Sequence, residues 1–184
     1  MNIGIIYENY KQFEKAIEYY KKGFEFDLQP DTYIRAISNL ASCYNLMEDY
    51  ENSELNYLYA ISESEKYFGK NNFLTSNMYI NYGIFCDNLG KPDEALKYLQ
   101  DSYSINTKIK GLSESFLANN LTQLGIHYSR RKNYPVALEY FQLALISVIE
   151  TFHEGDIYKN PGYQELYVDL SLFNTLYSKI PNFI

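Results

Sequence analysis

The chain has 184 residues, 46% hydrophobic and 21% charged, the balance of an ordinary folded chain long enough to bury a real core. Its net charge of -7 argues against a nucleic-acid backbone as partner, since phosphate binding needs clustered Lys and Arg. The basic run Arg130-Arg131-Lys132 reads as a solvated turn. No stretch reaches the roughly 18 apolar residues of a membrane helix. The start, Met1 to Glu8, lacks a basic segment followed by an apolar one, so no signal peptide is expected. Cys43 and Cys86 are too few for a disulfide framework, and a reducing, cytoplasmic setting is the default.

Internal repetition is the dominant signal. The segments Ile3-Gly4-x-x-Tyr7, Leu40-Ala41-x-x-Tyr44, Tyr82-Gly83-x-x-Cys86 and Leu124-Gly125-x-x-Tyr128 align. Twelve residues after each first small residue stands a second: Ala16, Ser53, Ala95 and Ala137. Four later comes a large residue (Tyr20, Tyr57, Leu99, Phe141), and three after that a third small one (Gly23, Ala60, Ser102, Ala144). Small residues suit points where two helices cross, and large ones fill the space beside them. The interval from Ala41 to Gly83 is 42 residues, as is that from Gly83 to Gly125, while Gly4 to Ala41 is 37.

In chain order, the periodicity predicts helices over 1–9 and 12–27, 32–47 and 50–67, 74–89 and 92–109, then 114–131 and 134–151. Lys11-Gln12, Glu48-Asp49, Gly90-Lys91-Pro92 and Lys132-Asn133 mark the turns within each pair. Pro92 and Pro135 fit a first helical turn, where a missing N–H is harmless. Gly69 to Asn72 and Lys110-Gly111 fit the connections between pairs. A last helix is predicted near 163–180, with Leu166, Leu170, Phe173 and Tyr177 at helical spacing. The fold expected is all-α: a right-handed α-solenoid of four helix–turn–helix repeats plus a C-terminal helix, in one domain over 1–184. The repeats fall near 1–30, 31–72, 73–112 and 113–155. The truncated first copy and the apolar end segment suggest a piece of a longer array.

The pattern resembles the tetratricopeptide repeat (TPR) signature, with Leu-Gly then Tyr on a first helix and Ala then Phe on a second. Tyr82 and Cys86 depart from it in the third copy. The longer period is similar to that of kinesin light chains and of bacterial arrays attached to signalling or protease domains. The run from Ala144 to Pro161 resembles the exit of arrays that precede caspase-like CHAT domains, which implies a context rather than an activity.

Catalytic chemistry finds little to work with. Cys43 and Cys86 read as small packing residues on neighbouring first helices. His127 lies two repeats from Cys43 and His153 follows a helix end, so neither a Cys–His pair nor a zinc site is expected, and no cofactor is implied. The resemblance implies that first helices line a concave groove. There the candidate peptide-binding residues are Arg35 with Asn39, Asn77 with Asn81, and Asn119 with Gln123, each pair one helical turn apart. Ser42, Asn88 and Arg130, with Asn45, Asp87 and Ser129, extend that face. A carboxamide both donates and accepts, so an amide ladder suits the backbone of an extended peptide. The alternative for Asn39 and Asn81 is a bond between neighbouring repeats. Ser38, Ile80 and Thr122 stand where a carboxylate-binding clamp would need Lys, which disfavours that mode.

The leading expectation is a non-catalytic module that binds an extended or partly helical peptide of a protein partner, without nucleic acid or membrane. The alternatives are a regulatory segment docking on its own effector domain in a larger bacterial protein, and self-association through the exposed, apolar end helices.

Overall fold

The computed structural model describes residues 2–148. Within them the chain forms eight helices: α1 (Asn2–Asn9), α2 (Phe13–Gly23), α3 (Pro30–Leu46), α4 (Tyr50–Phe68), α5 (Phe73–Asn88), α6 (Pro92–Asn106), α7 (Glu114–Arg130) and α8 (Tyr134–Val148). The expected helix near 163–180, His153 and the run from residue 149 to Pro161 lie outside the described residues.

The turns inside the pairs repeat one backbone device. Lys11, Glu48, Gly90 and Lys132 take left-handed φ values of 56°, 62°, 72° and 59°. The N–H of the following residue then returns to a carbonyl five positions back: Gln12 to Tyr7, Asp49 to Tyr44, Lys91 to Cys86 and Asn133 to Tyr128, at 2.8–3.0 Å. This closes the last carbonyls of the first helix and reverses the chain in three residues. Helix starts carry their own chemistry. The Asp49 carboxylate accepts from Asn52 N–H at 3.2 Å, the Asn72 side-chain Oδ1 accepts from Leu74 N–H at 2.7 Å, and Pro30 and Pro92 open α3 and α6.

The small residues act as the repeat pattern requires. A methyl added at Gly4 would stand 2.8 Å from the Tyr20 ring, at Gly83 3.0 Å from Leu99, and at Gly125 2.6 Å from Phe141. The large residue of the second helix therefore lies directly on the backbone of the first. Ala16, Ser53, Ala95 and Ala137 are buried on the opposing helices. Ser53 additionally donates its hydroxyl to the Ala41 carbonyl at 2.9 Å. Each first helix packs on its own second helix, and α3, α5 and α7 also pack on the second helix of the preceding repeat.

Two boundaries depart from expectation. Helix α2 stops at Gly23 rather than near 27, and α6 at Asn106 rather than near 109. The short first interval is absorbed in α2, which has 11 residues against 19 in α4. In α6 the Asn106 amide turns inward to donate to Asn120 Oδ1, and Asn120 in turn donates to Ser102 Oγ at 2.8 Å. Periodicity reports which face is apolar and is blind to such a buried amide bond.

Candidate peptide-binding groove

Successive first helices touch one another, α3 with α5 and α5 with α7, so they share one side of the stack. Between each pair lies one pocket. The first, about 300 Å³, is lined by Ser38, Asn39, Ser42, Asn45, Tyr57, Asn81 and Ile84. The second, about 580 Å³, is lined by Ile84, Asp87, Asn88, Leu99, Gln123, Ile126, Ser129 and Arg130. These are one pocket built twice: Ser42, Asn45 and Tyr57 recur as Ile84, Asp87 and Leu99, and Asn81 with Ile84 recurs as Gln123 with Ile126. Ile84 belongs to both.

The chemistry of the two differs. The smaller pocket presents neutral hydroxyls and amides. Asn81 is half-buried there and donates from Nδ2 to Ser38 Oγ at 2.9 Å, a bond between repeats rather than a group turned to solvent. The larger pocket has an apolar floor of Ile84, Leu99 and Ile126 and a charged corner. At that corner Asp87 is buried and shared by three bases. Its Oδ2 accepts from Arg130 Nη1 at 2.7 Å, and its Oδ1 meets His127 Nδ1 and Arg131 Nη1, each at 2.8 Å. Burial alone would raise the Asp87 carboxyl, but hydrogen bonds from His127 and Arg130 and the charge of Arg131 outweigh it and hold it at about 2. An ionised carboxylate only accepts, so the proton of a neutral His127 sits on Nδ1.

A family model described as tetratricopeptide repeat matches residues 32–108 and 77–147, and a second of the same description matches 1–30. The chain belongs to the tetratricopeptide repeat family. Two crystal structures share the TPR fold. BtubC (BKLC) from P. vanneervenii is 19% identical, with a TM-score of 0.72 over 87% of this chain and 65% of that one. MamA is 20% identical, with a TM-score of 0.56 over 80% of this chain and 75% of that one. This chain thus spans just under two thirds of BtubC. No curated protein matches it.

Among the sequence-predicted residues, Asn39, Ser42 and Asn81 meet at the smaller TPR pocket, and Asn88, Gln123 and Arg130 at the larger. Arg35, Asn77 and Asn119 line neither; Asn119 accepts from Gln123 Nε2 at 3.3 Å along α7. Sequence reasoning missed the apolar floor. A signal was available, because Ile follows the first small residue in three copies, as Ile5, Ile84 and Ile126. It also set His127 aside, whereas the fold joins it to Asp87 across two repeats. The thiols are free and buried, and burial pushes Cys43 up to about 12 and Cys86 to about 11. Among the described residues no group of three or more His, Cys, Asp or Glu could hold a metal ion, and no helix is long and apolar enough to cross a membrane.

Proposed function

We propose that this chain, as TPR arrays generally do, mediates protein–protein interaction, and that it binds an extended peptide of a partner protein along α3, α5 and α7. The observation that carries the reading is the doubled pocket, one copy at each junction between first helices. Helices packed about 10 Å apart space such pockets at close to three residues of extended chain. The smaller pocket suits peptide N–H and C=O groups, which its amides and hydroxyls can pair. The larger suits an apolar side chain on Ile84, Leu99 and Ile126, beside the polar rim of Gln123, Ser129 and Arg130. Thiols held protonated at neutral pH fit a binding role rather than nucleophilic chemistry.

The test is selection of peptides against the whole chain, followed by titration of one binder. Ile84→Arg intrudes on both pockets from a half-buried position, so affinity should fall at least about tenfold, roughly 1.4 kcal/mol, with the melting temperature nearly unchanged. Undiminished binding by this variant excludes the groove as the site. Failure to select any peptide favours the regulatory-segment alternative.

A further inference from the structure

Helix α4 differs from the neighbouring second helices on the side it turns to solvent. Leu55, Leu58 and Tyr59 are 59%, 40% and 46% exposed. The equivalent positions carry Glu18, Lys21 and Lys22 on α2, and Lys97, Gln100 and Asp101 on α6, all exposed. Outward positions of a solvated helix carry polar residues, so an apolar stripe here marks a contact surface. Tyr59 is already steadied by its hydroxyl, 3.4 Å from that of Tyr33. None of the three lines either pocket, so this surface is separate from the groove.

The order of residues along the stripe points to what covers it. Exposed Glu51, Leu55, Leu58, Tyr59, Ser62 and Lys66 share one face of α4, within about 100° of arc. An acid stands at its N-terminal end and a base at its C-terminal end, about 22 Å apart. Turned end for end, this stripe is its own complement. About a twofold axis between Leu58 and Tyr59, Leu58 comes level with the partner's Tyr59. Leu55 comes level with the partner's Ser62, whose small side chain leaves it room, and Glu51 with the partner's Lys66. The twofold repeats each contact, so an apolar centre is flanked by an ion pair at either end. Laid parallel, the same stripe would oppose acid to acid and base to base. Both charges are available: Glu51 makes no ion pair among the described residues, and Lys66 is 61% exposed and pairs only with Glu63 of its own helix, at 3.0 Å. Such charges also suit the ends of α4 itself. The apolar stripe between them is what sets α4 apart.

We propose that two copies of the chain pair through α4, antiparallel, in an isologous contact about this twofold. A single helix pair buries less than the roughly 1,200 Å² of a standard stable interface, so the dimer is weak and its population follows concentration.

Charge reversal in the full chain tests it, read by sedimentation over a concentration series. The wild type should pass from 21.6 kDa towards twice that mass. Glu51→Lys alone and Lys66→Glu alone each oppose like charges at both ends of the pair, so each should weaken dimerisation at least about tenfold. An equimolar mixture of the two should recover it, because every opposed position across the mixed pair again carries unlike charges. Leu58→Glu should abolish pairing and gain nothing from mixing. All these sites are exposed, and circular dichroism melting checks that each variant folds; recovery on mixing cannot come from a chain that does not. A wild type that stays monomeric up to about 1 mM overturns the proposal, which is also the outcome if residues 149–184 or another protein cover the stripe. Single charge variants that pair as the wild type does overturn it too, as does a mixture that associates no better than its components.

Discussion

Replacing Asp87 by Asn removes the charge that ties α5 to α7 at the corner of the larger pocket. The carboxyl falls from an ordinary 3.8 to about 2 in the folded chain. At 1.36 kcal/mol per unit, that corresponds to about 2 kcal/mol of folding stability. Because the folded value is the lower one, this stability is present in full above 3.8 and is lost as pH falls towards 2. Asn keeps an acceptor but leaves Arg130 and Arg131 without their counter-charge and His127 without its carboxylate partner. At neutral pH, Asp87→Asn should therefore unfold about 2 kcal/mol more easily, a drop in melting temperature of about 4–8 °C for a chain of this size. Urea titrations of both proteins at about pH 7, 5 and 3 follow the expected trend, a gap constant between the first two and shrinking at the third. Arg130→Ala should cost less, since its guanidinium is exposed and Asp87 retains two partners. A gap that is the same at all three pH values, or below about 0.5 kcal/mol at neutrality, refutes the assignment.

Gly125→Ala sets a methyl 2.6 Å from the Phe141 ring. Overpacking of about 1–3 kcal/mol should exceed the roughly 1 kcal/mol that Ala adds to a helix, a net loss visible in the urea midpoint. Gly83→Ala, whose methyl meets buried Leu99 at 3.0 Å and the Ala95 carbonyl at 3.3 Å, is less crowded than Gly125→Ala and should cost less. Glu48 holds φ at 62° where the third repeat has Gly90, so Glu48→Gly should raise stability by about 0.5 kcal/mol, and a lower melting temperature would contradict the strain argument. Asn81→Ala removes the bond to Ser38 and should cost about 0.5–1.5 kcal/mol of stability. A fall in peptide affinity of about 1–3 kcal/mol alongside it would mark Asn81 as both tie and ligand contact; stability loss alone leaves it a tie between repeats.

Spacing along the chain was enough to recover the eight helices, their turns and the family, because those depend on local rules. A first helix needs a small residue where its partner crosses, and the reversal needs three residues with one left-handed φ; both recur at fixed offsets in one dimension. Lys11, Glu48 and Lys132 occupy the left-handed position without being glycine, yet the reversal was legible from its place between two periodic runs. The groove was only half legible. Which first-helix residues share a face follows from 3.6 residues per turn, and Asn39, Asn81 and Gln123 all line the two pockets. What each side chain then does depends on groups dozens of residues away. Asn81 turns to Ser38, Asp87 gathers His127 and both arginines, and Asn106 at the end of α6 donates to Asn120. The rise and rotation from one repeat to the next decide those pairings, and packing sets that step. Exposure obeys the same division. Ile3 and Leu40 are equivalent by spacing, and only the presence of α2 against α3 makes one of them core and the other surface.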